Sequence, residues 1–231
     1  MPQKIIVSGC SFSYTPVNET YSKCLNEIYG YKVSNISRSG RGNQSIIKSI
    51  YDFVNFDNIK NSYIICQLTF THRFGMFHDV LNEWYDYQPY GINMNTKLNT
   101  KTMGKESYLK EFDELRNDKL AAEIGNDLLK FYETYLKWIH NDDAEFESLM
   151  LSVDMFNEWA KSNNNKVVFL YWPDLNDNQI TKLKQRNFFN IDGNYSMFEY
   201  TKNNGLVDID GHMNKEGHMY IADKLNKWIT K

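Results

Sequence analysis

Long apolar runs are missing from this chain of 231 residues. A helix that crosses a membrane needs about 20 consecutive apolar residues, and the longest apolar stretches here cover only a few positions, as at residues 63–66 and 167–172. The apolar segment that follows Met1 is also too short for the core of a signal sequence. We therefore expect no contact with a membrane and a cytoplasmic protein, with association with a virion or release by lysis as further options.

Cysteine is scarce, and the three cysteines, Cys10, Cys24 and Cys66, have no spacing that is typical of a metal site. Three thiols cannot all pair with one another, and thiols without a partner are usual in a reducing compartment. We therefore expect structural thiols, no disulfide and no bound zinc.

An excess of basic charge and a linker are missing as well. The formal net charge is -3, and the charged residues of both signs are interleaved along the chain. Because a protein that binds nucleic acid usually presents a broad basic face to the phosphates, nucleic acid is a poor expectation for the partner.

With only 4 prolines and no low-complexity stretch, the chain is predicted to form a single domain over residues 1–231.

Short apolar runs alternate with amphipathic segments. The runs predict strands at residues 4–7, 31–36, 62–68 and 166–171, with a weaker fifth strand at 187–191. Helical spacing predicts helices at residues 21–29, 44–53, 118–140, 143–161 and 215–228. Continuous apolar character indicates strands that are buried on both faces, as in a parallel sheet. The prediction is a three-layer α/β/α, flavodoxin-like fold with about five parallel strands, whose ligands bind beyond the carboxyl ends of the strands.

The stretch after the third strand is rich in aromatic residues and has little periodicity. It contains Trp84, Tyr85, Tyr87 and Tyr90 among Asn, Gly and Pro residues. We expect an irregular insertion over about residues 77–117 near one end of the sheet. Its aromatic side chains would either line a carbohydrate groove or simply cover the sheet.

A serine follows the first predicted strand, in the sequence SGCSFS at residues 8–13. Active sites of α/β proteins lie at the carboxyl ends of strands, and Ser11 is expected there. Gly9 permits a tight turn, and the backbone N–H groups that follow can face an anion. Two interpretations stay open: Ser11 is a nucleophile, or Ser11 or Ser13 only caps the next helix.

A histidine and two aspartates lie close together near the other end, in the sequence DIDGH at residues 208–212. A serine hydroxyl is a weak nucleophile until an imidazole accepts its proton, and the imidazole needs a carboxylate that fixes its tautomer. His212 with Asp210 or Asp208 therefore fits a serine hydrolase, although an ordinary surface loop has the same composition. His218, one turn into the last helix, fits a packing or capping role better.

A loop rich in serine and glycine, residues 35–44, follows the second predicted strand. A glycine N–H at a strand end suits an oxyanion hole, which needs donors aimed at the charge that develops on a carbonyl oxygen. Gly40 is the candidate. A phosphate loop is the weaker alternative, because the stretch lacks the Gly-Lys-Ser/Thr ending and the dinucleotide fingerprint.

These three motifs, in this order, resemble the blocks of the SGNH hydrolase superfamily, also called GDSL-like lipases and acylhydrolases. GCSFS at residues 9–13 is similar to a nucleophile block of phage and bacterial members, in which cysteine replaces the usual aspartate. Residues 35–43 resemble the second block, which implies Gly40 as an oxyanion donor and Asn43 as a substrate-binding residue. Residues 210–218 resemble the terminal block, which implies Ser11 and His212 as the catalytic pair.

The chain departs from the family pattern at two positions. The third block of the family supplies an asparagine to the oxyanion hole, whereas residues 66–73 here read CQLTFTHR. Thr69 is the positional match, Gln67 is an alternative donor, and Arg73 is held in reserve, since some phage-type relatives have a threonine and a following arginine. The family aspartate usually lies three residues before the histidine, where this chain has Ile209. Asp210 fits the Asp-x-His variant and is preferred to Asp208.

The resemblance implies a serine esterase that cleaves an acyl ester without a cofactor or a metal. A short acyl group, with acetyl as one option, on a small molecule or a carbohydrate is preferred because the sequence shows no extended apolar lid. The alternative is a catalytically impaired binding or virion-associated module with the same fold.

Overall fold

The computed structural model describes residues 4–13, 20–38, 41–71, 73–78, 83–87, 134, 138–208 and 211–231. Six strands lie in this part of the chain: β1 (Lys4–Ser8), β2 (Lys32–Asn35), β3 (Tyr63–Leu68), β4 (Phe74–His78), β5 (Glu83–Tyr87) and β6 (Lys166–Tyr171). The helices of the same part are α1 (Tyr21–Glu27), α2 (Asn43–Phe56), α3 (Asp142–Ser162), α4 (Asp177–Lys184), α5 (Met197–Asn203) and α6 (Lys215–Ile229).

Four strands form one parallel sheet in the order β2-β1-β3-β6. All of β3 is buried, and β1 is buried from Ile5 to Ser8, as expected for central strands whose two faces are both covered by helices. Helices α1 and α6 pack together, while α2 and α3 meet where Tyr51 contacts Trp159. The three-layer α/β/α architecture predicted from the sequence is therefore confirmed.

The predicted fifth strand at residues 187–191 is wrong, and the parallel sheet has four strands. The segment pairs with β6 only at one bridge, Phe169 to Phe188. Beyond it, Asp192 (φ 49°) and Gly193 (φ 97°) adopt left-handed backbone conformations and close a turn between Ile191 and Asn194. The turn interrupts the pairing with β6, and beyond it the chain meets β6 again at a second isolated bridge, Tyr171 to Ser196, so that no continuous ladder forms.

Two short helices have no counterpart in the sequence-based prediction. Helix α4 buries only Leu183, so its apolar periodicity is weak, and it begins with a capping box between Asn176 and Gln179. Helix α5 has only 7 residues, which is too few to show a period. The predicted boundaries of the other helices within the described residues agree to within a few positions.

Part of the region expected to be irregular is regular. Strands β4 and β5 pair as an antiparallel hairpin that contacts α2. The rest of the predicted insertion and nearly all of the predicted helix at 118–140 lie outside the described residues. None of the helices in the described ranges has the length and apolar character that a bilayer-spanning helix needs.

Candidate active site

The sequence around Ser11 forms a tight turn at the carboxyl end of β1. The N–H of Ser13 donates to the carbonyl of Cys10 at 3.0 Å, so that Ser11 and Phe12 occupy the middle of the turn. A Cβ atom on Gly9 would lie 2.5 Å from Ser13 Oγ and 2.7 Å from Gln67 Oε1. Only glycine therefore fits at the start of the turn.

The hydroxyl of Ser11 does not cap helix α1. Its Oγ is buried and has no hydrogen-bond partner among the residues that the structure describes. Helix α1 is capped instead by Thr20, whose Oγ1 accepts from the N–H of Lys23 at 3.4 Å. The capping interpretation of Ser11 and Ser13 is therefore wrong for this helix. A buried hydroxyl that lacks a partner is a natural place for a ligand to bind.

The side chain of Gln67 supports this turn through hydrogen bonds. Its Oε1 accepts from Ser13 Oγ at 3.0 Å and from the N–H of Cys10 at 3.3 Å, and Cys10 Sγ lies 3.5 Å away. Its Nε2 donates to the carbonyl of Leu68 at 2.6 Å, and the whole side chain is buried. Both ends of the carboxamide are thus engaged by the protein. This geometry favours Gln67 as a support of the turn over Gln67 as a donor to substrate.

The loop after β2 is tied to the same turn. The N–H of Arg38 donates to the carbonyl of Gly9 at 3.1 Å, and Asn35 Nδ2 donates to the carbonyl of Ser13 at 3.0 Å. Gly40, the candidate oxyanion glycine of this loop, lies outside the described residues. The loop that carries it is nevertheless anchored beside Ser11 on both sides of the turn.

Hydrogen bonds between Asn43 and Thr69 connect the loop after β2 to the end of β3. Asn43 Oδ1 accepts from the N–H of Thr69 at 2.8 Å, and Asn43 Nδ2 donates to the carbonyl of Thr69 at 3.1 Å. Thr69 is fully buried, and its Oγ1 has no hydrogen-bond partner within the described ranges. Arg73 is also buried, with its guanidinium carbon 5.0 Å from the ring centre of Phe70. The structure thus places Asn43 against Thr69 just beyond the carboxyl end of β3.

The segment that carries His212 is a turn closed by backbone hydrogen bonds. The N–H of Asp208 donates to the carbonyl of His212 at 2.7 Å, and the N–H of Gly211 donates to the carbonyl of Asp208 at 3.0 Å. Gly211 has φ 80°, a left-handed conformation that favours glycine. Asp208 is exposed, and Asp210, the preferred partner of His212, lies outside the described residues.

Aromatic contacts join the two ends of the chain. The ring of Phe12 lies 3.8 Å from that of Trp172 and 4.8 Å from that of His212, between centroids. The N–H of Tyr21 donates to Nδ1 of His218 at 3.3 Å. His212, the candidate base, therefore lies beside Phe12, the residue that follows the candidate nucleophile Ser11. Trp172, which follows β6, was missed by the sequence reasoning, although a large apolar residue at the carboxyl end of a predicted strand was a signal.

Burial shifts the pKa values of two groups around the turn. His218 is 1% exposed, and this burial, together with the charge of the nearby His212, lowers the pKa of His218 to about 4. Burial also raises the pKa of the Cys66 thiol well above its ordinary value. Both groups are therefore neutral near pH 7. The low pKa of His218 agrees with the packing role that the sequence favoured for it.

No group of three or more His, Cys, Asp or Glu side chains is placed to hold a metal ion in the portion of the chain that the structure covers. Cys10, Cys24 and Cys66 are buried, and none of them lies in a disulfide within the described part of the chain.

Comparison with known proteins gives no family model that matches and no match among curated proteins. Solved structures do match. The esterase EstA from Pseudoalteromonas sp., in a structure inhibited by monoethylphosphonate, is similar with a TM-score of 0.51 and 11% identity, over 99% of this chain and 100% of that chain. TesA is similar with a TM-score of 0.50 and 12% identity, over 99% of this chain and 97% of that one. The chain thus shares its overall fold with these two solved structures.

Proposed function

We propose that this protein is a carboxylic ester hydrolase in which Ser11 is the nucleophile and His212 the general base. The observation that carries the proposal is the contact of Phe12 with His212, which joins the turn of Ser11 to the turn of the histidine. The buried Ser11 hydroxyl, without a partner in the described part of the chain, supports it. An esterase is among the solved structures that share the fold.

The reaction would proceed through an acyl-enzyme. Ser11 Oγ attacks the carbonyl carbon of the ester while His212 accepts the hydroxyl proton, and His212 then returns the proton to the leaving alcohol. A water molecule, deprotonated by His212, releases the acid and restores Ser11. Asp210 is our choice for the carboxylate that orients His212, with Asp208 in reserve.

The negative oxygen of the tetrahedral intermediate needs preorganised donors. We assign this role to the backbone N–H groups of Ser11 and Gly40, with the Thr69 hydroxyl as the third donor. The buried Thr69 hydroxyl has no hydrogen-bond partner in the described ranges, which supports this assignment, whereas the Gln67 carboxamide is occupied. Asn43 holds Thr69 in place through its backbone.

The substrate preference from the sequence stays a prediction. It is a short acyl ester, with acetyl as one option, carried by a small molecule or a carbohydrate.

The experiment that tests the proposal compares the wild type with Ser11→Ala in hydrolysis of p-nitrophenyl acetate. We expect Ser11→Ala to abolish turnover by the acyl-enzyme route, a larger loss than the roughly 10²- to 10³-fold that follows loss of one oxyanion donor. Ser162→Ala, an exposed serine at the end of α3, is the matched control and should retain activity. A fluorophosphonate should label Ser11 in the wild type, as peptide mapping would show. Unchanged hydrolysis by Ser11→Ala would reject the mechanism.

The partner of His212 is identified by a second pair of variants. Asp210→Asn should lower kcat strongly because the imidazole loses the group that fixes its tautomer. Asp208→Asn should have little effect, since the Asp208 carboxylate is exposed. The reverse result would assign the role to Asp208.

A non-catalytic binding or virion-associated module is the remaining alternative. The observation that favours it is the buried Thr69 in place of the family asparagine. This alternative predicts that the wild type hydrolyses no ester and that a fluorophosphonate leaves Ser11 unlabelled.

A further inference from the structure

A large cavity lies between α2 and α3, beside the candidate site. Its volume is about 420 Å³, which falls within the range of about 300 to 1,000 Å³ that is typical of pockets for small molecules. Most of its wall is apolar and comes from the two helices. The principal apolar lining residues are Ile47, Tyr51, Leu149, Met155, Phe156 and Trp159.

Part of the polar lining lies at the end of the cavity nearest the carboxyl edge of the sheet, and the other polar lining residues are Gln44, Lys48, Glu145, Ser148 and Ser152. Asn43, the first residue of α2, lies at that end with Thr71 and Arg73, which follow β3. Thr71 Oγ1 donates to Asp142 Oδ1 at 3.2 Å, so α3 begins at the same edge. At the other end the rings of Tyr51 and Trp159 meet, with 4.9 Å between their centroids.

The length of the cavity can be read from α2. Asn43 and Tyr51 mark its two ends on this helix, and the residues between them extend over about 12 Å at 1.5 Å per residue. Lys48, on the same wall, forms an ion pair with Asp52, so its charge is balanced outside the cavity. An elongated apolar group with a polar end matches this shape.

Asn43 connects the cavity to the proposed oxyanion site. Its side chain lines the polar end of the cavity and also forms hydrogen bonds with both backbone groups of Thr69. A carbonyl carbon bound beside Thr69 therefore has the polar end of this cavity as a neighbour. The apolar end then lies farther from the reacting atoms.

We propose that the cavity between α2 and α3 binds the apolar tail of a medium-length acyl group on the ester that Ser11 attacks. The inference rests on the proposed hydrolysis at Ser11 and extends the acyl group beyond the short one that the sequence favoured. The apolar wall that a longer acyl chain needs is formed by two helices rather than by a lid, and the apolar periodicity of each helix does not reveal that they meet in this way.

The first test measures kcat/KM for p-nitrophenyl acetate, butyrate and octanoate. Each methylene that enters the cavity should raise kcat/KM by about fourfold, the ratio that corresponds to about 0.8 kcal/mol per buried methylene. Ser152→Phe places a bulky ring in the cavity and should lower the octanoate-to-acetate ratio at least about tenfold. Leu151→Phe adds the same ring at the neighbouring position of α3, where Leu151 is 65% exposed and outside the lining. This control should leave the ratio unchanged.

The second test separates binding from catalysis. In Ser11→Ala protein, saturation-transfer NMR with methyl octanoate should show contact of the alkyl protons with the protein. Adding Ser152→Phe should remove the signal, and adding Leu151→Phe should not.

The results of these two tests distinguish failure of the acyl site from failure of the proposed function. Hydrolysis of acetate with no gain for octanoate, and no effect of Ser152→Phe on the ratio, would overturn the acyl site and leave the proposed function intact. Failure of the wild type to hydrolyse any ester would overturn the proposed function, and the methyl octanoate signal would then decide by itself whether the cavity binds an apolar chain. Self-association of the wild type that Ser152→Phe abolishes would show that a second copy covers the cavity, which also overturns the proposal.

Discussion

The aromatic ring of Phe12 lies 4.8 Å from the imidazole of His212, centroid to centroid. These residues come from opposite ends of the chain, and the contact between them is one of packing rather than of hydrogen bonding. Phe12 also stacks on Trp172, at an interplanar angle of 13°. The position of His212 relative to Ser11 therefore depends on a buried aromatic group that takes no part in proton transfer.

Removal of the Phe12 ring should weaken both stability and activity. Phe12→Ala leaves a cavity beneath Trp172 and His212 and should lower the free energy of unfolding by about 3 kcal/mol, with a loss of kcat for p-nitrophenyl acetate. Urea unfolding and steady-state kinetics measure the two effects. Phe56→Ala is the matched control, because Phe56 is 91% exposed and its loss should change stability by less than about 0.5 kcal/mol. Equal behaviour of the two variants would contradict the packing role.

Gln67 should act on the position of Ser11 through the turn. Gln67→Leu leaves the N–H of Cys10 without its acceptor in a buried place, a loss that costs about 1 to 3 kcal/mol, and it leaves Ser13 Oγ with Tyr21 Oη as its remaining side-chain partner. We expect lower stability and a lower kcat. Gln185→Leu, at an exposed position, is the control.

Gln67→Glu gives a readout that loss of packing alone would not produce. The carboxyl group keeps an acceptor for Cys10 and Ser13, but burial disfavours its charged form. Stability relative to the wild type should therefore improve as the pH falls and the carboxyl group becomes protonated. A deficit that stays constant with pH would argue against the acceptor role of Gln67.

The sequence predicts the central strands well because their burial requires apolar residues within the strand itself. Strand β6 occupies the predicted residues, and α3 and α6 agree with their apolar periodicity. The strand predicted at residues 187–191 failed because the extent of its pairing is decided outside the segment. A short run such as NFFNI at 187–191 looks like a strand, but the left-handed turn at Asp192 and Gly193 decides how far it can pair.

The sequence names candidate reactive residues but does not show which residues support them. Ser11 and His212 stand out because their side chains have chemistry that a core or a loop seldom needs. Gln67 and Asn43 are site candidates in the sequence, but their supporting contacts are not visible there, since their partners Ser13 and Thr69 are far away in sequence. The direction of a carboxamide is set by these tertiary contacts, so the sequence could not choose between Gln67 as a donor and Gln67 as a support.

Asn43 should be required for the position of Thr69. Asn43→Ala removes an acceptor and a donor that bond to the backbone of Thr69, which should cost about 2 kcal/mol of unfolding free energy and lower kcat. Asn43→Asp keeps the acceptor for the N–H of Thr69 and loses the donor, so an intermediate loss is expected. Asn190→Ala, at an exposed position, is the control for both measurements. An Asn43→Asp variant as impaired as Asn43→Ala would indicate that the N–H of Thr69 is not the important partner.

His218 should make the protein less stable in mild acid. The pKa of about 4 in the folded protein is below the ordinary value of 6.5, so between these two pH values the unfolded chain binds more protons than the folded one. The contribution of neutral His218 is fully present above about pH 6.5 and is lost as the pH falls toward about 4, by about 3 kcal/mol in all. Below that pH, this group causes no further loss.

The measurement is urea unfolding at pH values of about 4.5 and about 7. His218→Asn is the informative variant, because its carboxamide oxygen can replace Nδ1 as the acceptor for the N–H of Tyr21 and does not titrate. This variant should lose less stability than the wild type between the two pH values, even if its stability near pH 7 is lower. His212 is the other titrating group whose charge acts on His218, and it is present in both proteins, so its contribution largely cancels. An equal loss in the two proteins would show that the burial of neutral His218 does not set the acid sensitivity.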